Sequence, residues 1–326
     1  MQRGDQMSVL VTGAAGFIGF HVSKALLKKG YRVVGIDNLN PYYDPDLKRA
    51  RLDILKKFQG FVFHALDISE FEPLMEVSAA NKVEVICNLA AQAGVRYSLV
   101  DPFSYGKSNL IGFLNILEVA RRLSVQNLVY ASSSSVYGKN TQLPYSVEQR
   151  VDNPVSIYAA TKRSNELMAF SYHHLYKIPC IGLRYFTVYG PWGRPDMALF
   201  LFVDAILKGQ PIKVYNYGNM KRDFTYIDDI VAGTISAIER PMEFEIFNLG
   251  NSNCVNLMDF IRIIEEELGM EAKKEFLPLQ PGDVVETKAD IQRSKELLDF
   301  EPKTDLRTGI RKFLDWYKSY YNVPGA

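Results

Sequence analysis

The chain has 326 residues, 47% of them hydrophobic and 23% charged, and 38 Lys and Arg against 37 Asp and Glu leave a net charge of +1. That balance excludes the basic footprint of a nucleic-acid binder, and the length suffices for one large or two fused domains with a full-sized core. Cys87, Cys180 and Cys254 are odd in number and far apart, and neither they nor the four histidines have metal-ligand spacing. Reduced thiols are expected, with no disulfide framework and no metal.

Residues 1–6 are polar and lead straight into a buried-strand pattern, without the layout of a signal peptide. Met7 is a candidate natural start. The apolar stretch 198–203 is stopped by Asp204, well short of the roughly 20 residues that span a bilayer. A soluble, cytoplasmic protein without membrane or nucleic-acid partners is expected.

Strands are predicted at 9–11, 32–36, 61–63, 85–87, 128–130 and 180–182, with helices near 17–29, 70–81, 104–123 and 157–176 between them. This alternation predicts an α/β fold, a doubly wound parallel sheet of the Rossmann type. After about residue 184 the rhythm becomes irregular, with loop-like runs at 190–195 and 216–219 and a last amphipathic helix near 305–321. The expected division is a nucleotide-binding domain over 1–184, with 227–250 returning to it. A smaller mixed α/β lobe over 185–226 and 251–326 would bind the substrate.

The first strand runs into Gly13-Ala-Ala15-Gly16-Phe17-Ile18-Gly19. Absent Cβ atoms let a backbone approach a pyrophosphate, and the helix that follows offers free N–H groups and a positive dipole end. A tight turn with packing glycines is the plain alternative. Asp37 closes the second strand, where a carboxylate accepts from both adenosine ribose hydroxyls and repels a 2′-phosphate. Asn38 follows and no arginine does, so NAD is favoured over NADP. Asp67 and Ile68 close the third strand, where they either flank adenine or cap the helix starting near Ser69.

Tyr158 and Lys162 stand four residues apart on a predicted helix and therefore share a face. An ammonium there can stabilise a phenolate and lower the tyrosine pKa. The spacing alone is common. Behind a dinucleotide loop and the run Ser132-Ser133-Ser134-Ser135 it points to hydride chemistry on an alcohol.

Together the glycine loop, the serine run and Tyr158/Lys162 resemble the extended short-chain dehydrogenase/reductases that act on nucleotide sugars, along nearly the whole chain. The resemblance implies tightly held NAD, a lobe for UDP or dTDP, and a homodimer paired through the helices near 104–123 and 157–176. It makes Tyr158 the acid/base, Lys162 the holder of the nicotinamide ribose, and Ser133 the bridge to the sugar hydroxyl. It adds Leu89, Ala90, Ala91, Asn109 and Tyr185 to the cofactor site. Dehydratases and UDP-xylose-forming decarboxylases of this family carry carboxylates in the loop where this chain has Ser133-Ser134-Ser135, which leaves epimerisation.

The phrase from Arg184 to Met197, with residues 90–98, resembles the UDP-glucuronate 4-epimerases. Ser134, Ser135, Thr187 and Arg194 would then form a site for the sugar carboxylate, unless Arg194 only meets carbonyls or solvent. Arg222 matches the family's diphosphate arginine. Asp283 is either a uridine ribose acceptor or a turn aspartate after Pro-Gly, and Gln280 replaces an arginine found in UDP-galactose 4-epimerases. For Arg96 a carboxylate, a phosphate and a structural ion pair all stay open. The expected activity is NAD-dependent 4-epimerisation of UDP-glucuronate to UDP-galacturonate. The rivals are UDP-glucose/UDP-galactose 4-epimerisation, UDP-glucuronate decarboxylation and a non-catalytic NAD-binding sensor.

Overall fold

A computed structural model describes residues 7–323. The polar leader and the reading that it is no signal peptide lie outside them. Among the described residues the strands run in chain order as β1 Ser8–Thr12, β2 Arg32–Asp37, β3 Phe61–Ala65, β4 Val85–Asn88, β5 Asn127–Ser133, β6 Cys180–Tyr185, β7 Thr187–Tyr189, β8 Ile212–Tyr215, β9 Lys221–Tyr226, β10 Phe244–Leu249, β11 Cys254–Asn256 and β12 Lys274–Leu277. The helices are α1 Phe17–Lys28, α2 Pro45–Leu55, α3 Phe71–Ala80, α4 Pro102–Tyr105, α5 Gly112–Leu123, α6 Ile157–Tyr176, α7 Ala198–Leu207, α8 Ile227–Glu239, α9 Leu257–Leu268, α10 Gln292–Leu298 and α11 Leu306–Tyr320.

Seven strands form one parallel sheet in the order β10-β6-β5-β4-β1-β2-β3. Successive side chains point opposite ways, and with helices on either side β1, β2, β4, β5 and β6 are buried on both faces while the edge strand β3 is only partly so. Val9 and Val11 pack with Phe20 and Leu26 of α1 and Ile230 of α8, whereas Leu10 packs with Leu74 of α3 and Ile116 of α5. Each such side chain contributes about 1.5–3 kcal/mol by leaving water. A three-stranded sheet, β11-β9-β7, and the parallel pair β8–β12 build the smaller lobe.

The segment from 102 to 123 is not one uniform helix. A π-helical stretch, Gly106–Ile111, separates α4 from α5. Helix α2 has no counterpart in the sequence reading, although its start signal is plain: Asp44 caps it by accepting from the Asp46 N–H, and Pro45 takes its first position. Among the described residues no helix is long and apolar enough to cross a membrane.

Candidate active site

A cavity of about 930 Å³ opens at the carboxyl ends of the parallel strands and continues under the smaller lobe. It sits where the strand order reverses between β1 and β4, the usual ligand crevice of such sheets. Gly13 follows β1 at φ +68°, and a Cβ there would lie 2.9 Å from the Ala90 nitrogen. A Cβ on Gly19 would lie 2.0 Å from the Gly13 carbonyl oxygen. Helix α1 therefore starts hard against the turn, with no side chain capping it and no acidic residue in its first turn. This open helix end, in a cradle that any side chain would fill, fits the pyrophosphate of a dinucleotide.

Gly13, Gly16, Phe17, Ile18 and Gly19 border this end of the cavity, as do Asp37, Asn38, Asp67, Ile68, Leu89, Ala90, Ala91 and Tyr185. Ala15 and Asn109 do not border it. The Ala15 N–H donates to Asp37 Oδ2 at 3.2 Å, and Leu39 N–H to Oδ1 at 2.8 Å, fixing the carboxylate. Asn109 Oδ1 accepts from the Gln92 N–H and its amide donates to the Gln92 carbonyl, which shapes the wall from behind. Tyr185 turns its hydroxyl to Thr234 at 3.0 Å. Strand β3 ends at Ala65, short of Asp67, which accepts from the Ser69 N–H and hydroxyl in a local turn, while α3 begins at Phe71 with no side chain capping it.

Ser133 at the end of β5 and Tyr158 and Lys162 on the first turns of α6 border the cavity's middle. Ser156 caps α6 by accepting from the Ala159 N–H at 3.1 Å, which sets where Tyr158 leaves the helix. Burial raises the Tyr158 pKa above its ordinary value, while the neighbouring Ser133 hydroxyl and the Arg194 guanidinium pull it back. Lys162 stands one helical turn further along α6. Its ammonium donates to the Ala131 carbonyl at 2.8 Å, and burial pushes its pKa down to about 8.

Arg96, Ser134, Ser135, Thr187, Arg194, Arg222 and Asp283 border the remaining wall. Ser133 accepts from the Ser135 N–H and donates to its hydroxyl, both at 3.1 Å, so the serine loop is internally ordered. Arg96 pairs with Asp283 at 3.0 Å, engaging the proposed ribose acceptor, and lies over the Tyr215 ring at 4.4 Å. Arg222 donates to the Lys221 and Val285 carbonyls, and desolvation lowers its pKa. Arg194 is held by Asp196, with Nε to Oδ1 at 3.0 Å.

Several residues at the site escaped the sequence reading. Asp196 and Tyr42 both border the cavity, and the Tyr42 hydroxyl donates to Asp196 at 3.0 Å. Lys48, buried on α2, donates to Asn40 and stands 3.8 Å from Asp37. The signal lay in Asp44-Pro45 and the spacing of Leu47, Leu52 and Leu55, which would have placed a helix beside the cofactor end. Among the described residues no cluster of His, Cys, Asp and Glu is placed to hold a metal ion.

Residues 9–250 match the model of the family described as NAD dependent epimerase/dehydratase. An uncharacterized protein of Methanocaldococcus jannaschii is 55% identical, over 95% of this chain and 96% of its own. UDP-glucuronate 4-epimerase 4 of Arabidopsis thaliana is 46% identical, over 97% of this chain and 76% of its own. The crystal structure of UDP-glucuronic acid 4-epimerase from Bacillus cereus, in complex with UDP-glucuronic acid and NAD, superposes with a TM-score of 0.91 at 36% identity. That match covers 97% of this chain and all of the other. With an open α1 end, an Asp37 carboxylate at β2 and a Tyr158/Lys162 pair facing one cavity, the chain belongs to the NAD dependent epimerase/dehydratase family.

Proposed function

We propose that this chain is a UDP-glucuronate 4-epimerase, converting UDP-glucuronate to UDP-galacturonate and back. One observation carries the reading: Tyr158, Ser133 and Arg194 converge on one cavity whose Ser133–Ser135 loop holds hydroxyls and no carboxylate. The relatives named UDP-glucuronate 4-epimerase and the Bacillus cereus structure support the choice of sugar.

Gly13, Gly16 and the first N–H groups of α1 would hold the dinucleotide pyrophosphate, with Asp37 at the adenosine ribose and Lys162 at the other ribose. NAD, when bound, accepts the C4 hydrogen as hydride and returns it. Tyr158 takes the 4-hydroxyl proton and later gives it back, with Ser133 orienting that oxygen. The 4-keto sugar turns over about its link to the diphosphate, which Arg222 holds, so proton and hydride return on the opposite face with no net redox change.

A 4-keto uronate is a β-keto acid and loses CO2 when its carboxylate bond stands perpendicular to the ketone plane. Ser134, Ser135, Thr187 and Arg194 hold the carboxylate away from that geometry. Elimination lacks an acid/base pair here, since Asp196 is bound by Arg194 and Tyr42.

The test is incubation of the purified protein with UDP-glucuronate, UDP-glucose and UDP-galactose, with the sugars resolved by NMR. UDP-galacturonate as the main product is expected. Turnover of the neutral hexoses alone supports the hexose epimerase, CO2 with a UDP-pentose supports the decarboxylase, and no turnover at all supports the sensor.

The same reading makes the protein a homodimer. Ile111 and Leu114 before and in α5, and Leu167 and Phe170 in α6, are exposed apolar side chains that a second copy would cover. Light scattering of the wild type and of Phe170→Glu tests this, with dimer and monomer expected respectively. The three free thiols fit the reducing cytoplasm.

A further inference from the structure

The loop that carries Arg194 is tied to the dinucleotide end of the cavity by side chains of a single short segment. Arg51, on α2 and fully buried, donates to the carbonyl of Ala15 in the glycine loop at 2.8 Å and to the Tyr43 hydroxyl at 2.8 Å. Its other terminal nitrogen donates to the carbonyls of Trp192 and Gly193 at 2.7 and 3.3 Å. One guanidinium thus joins the turn that faces the pyrophosphate to the loop that holds Arg194.

That loop does not rest in a relaxed conformation. Trp192 stands at φ +62°, a left-handed setting that bulky residues adopt only when their surroundings impose it. Its ring is packed against Phe20 of α1 and against Trp316 and Tyr320 of α11, with centroids 5.1–5.6 Å apart. The carbonyls of this strained residue and of the glycine after it are the ones that Arg51 engages.

At the far end of the same segment, Tyr42 reaches the site itself. Its hydroxyl donates to Asp196 Oδ2 at 3.0 Å, and Asp196 grips the Nε and Nη2 of Arg194. Bidentate pairing fixes the plane of a guanidinium, and Nη1 has no partner among the described residues. The grip leaves Nη1 available in the cavity that Arg194 borders, and it fixes where Arg194 stands relative to Tyr158, whose burial-raised pKa Arg194 partly offsets.

We infer that Tyr42, through Asp196, and Arg51, through the Trp192 and Gly193 carbonyls, are positioning residues that hold Arg194 where the substrate carboxylate arrives and tie that position to the dinucleotide loop. The inference rests on the uronate reading above. It adds that the discrimination between epimerisation and CO2 loss depends on the 42–51 segment, of which Tyr42, Tyr43 and Lys48 line the cavity.

The experiment is a double-mutant cycle on NAD-loaded protein, pairing Tyr42→Phe with Arg194→Ala, with UDP-glucuronate kinetics, the fraction of UDP-pentose formed and UDP affinity as readouts. Tyr42→Phe removes one hydrogen bond to a charged group and is expected to raise KM for UDP-glucuronate about tenfold. It should also release pentose, leave UDP affinity unchanged, and have no further effect once Arg194 is alanine. Asp196→Asn is a second route and is expected to behave likewise. Wild-type KM and product purity in folded Tyr42→Phe would overturn the role, as would an equal loss in the Arg194→Ala background. If the wild type itself does not turn over UDP-glucuronate, the uronate reading falls and this role falls with it; a working wild type with an indifferent Tyr42→Phe overturns the role alone.

Discussion

Glu166 and Arg184 meet through two hydrogen bonds, at 2.8 and 2.9 Å, at a depth where neither side chain sees more than a trace of water. Ser132 donates to the same carboxylate at 2.7 Å, and Tyr137 links Arg184 to Asn248. The pair joins α6 to β5 and β6 one helical turn beyond Lys162, so it sets the angle at which the catalytic face of α6 meets the serine loop. Removing Arg184 leaves the buried carboxylate with only Arg163, at 3.1 Å, and Ser132 as partners, which costs up to about 3–5 kcal/mol. Arg184→Met is therefore expected to be that much less stable in urea unfolding, and the double variant Glu166→Gln, Arg184→Met less severely affected than the arginine change alone.

Tyr158→Phe keeps the ring and removes the proton carrier. Turnover of UDP-glucuronate is expected to fall by about 10²–10⁴-fold, with UDP affinity close to the wild-type value by calorimetry. Turnover within threefold of wild type would move the acid/base role to another residue.

Arg194→Ala removes the guanidinium but leaves Ser134, Ser135 and Thr187 in place. A higher KM for UDP-glucuronate, with UDP-pentose among the products, is expected from NMR of the reaction mixture. Unchanged uronate kinetics and a pure product would remove Arg194 from the carboxylate site.

Lys162 makes stability depend on pH. Burial lowers its pKa from 10.5 to about 8, so between those values the unfolded chain holds a proton that the folded chain does not. Stability attributable to this residue therefore rises with pH across that window, and below it the buried ammonium costs about 3 kcal/mol. Lys162→Met is expected to melt higher than wild type at pH 7 without dinucleotide, with the advantage shrinking as pH rises toward 10. A constant difference in Tm across the range would contradict this.

What the sequence made legible follows from which forces act locally. Strand–helix alternation and the glycine loop depend on neighbouring residues, so β1 to β6 and the dinucleotide end could be read directly. Tyr158, Lys162 and Ser133 were recognisable by type and spacing, and all three reach one cavity. Asp196 and Tyr42 were not legible, because a pair 154 residues apart is joined only by tertiary folding. The hydrogen bond from Lys162 to the Ala131 carbonyl was invisible for the same reason, since a helix face says nothing about which carbonyl of another strand lies opposite. Helix α2 was different: its cap and apolar spacing were present, in a stretch whose tyrosines and charges resemble a loop.

The widened turn at Gly106–Ile111 gives the 102–123 rod two rotational settings. Within it the Asn109 carbonyl is free to accept from Asn165 of α6 at 2.6 Å, while the Asn109 amide reaches Thr161 at 3.0 Å. One residue more or fewer in a helix turns everything beyond it by about 100°. Deleting a single residue between Gly106 and Ile111 would thus restore ordinary winding and swing the stripe of Phe113, Ile116 and Leu117 out of register with the sheet, unless the α4 end turned instead and withdrew Tyr105 from its place beside Tyr158. The π-helical turn, with Asn109 and Asn165 bonded across it, lets one rod serve both the core and the cavity wall.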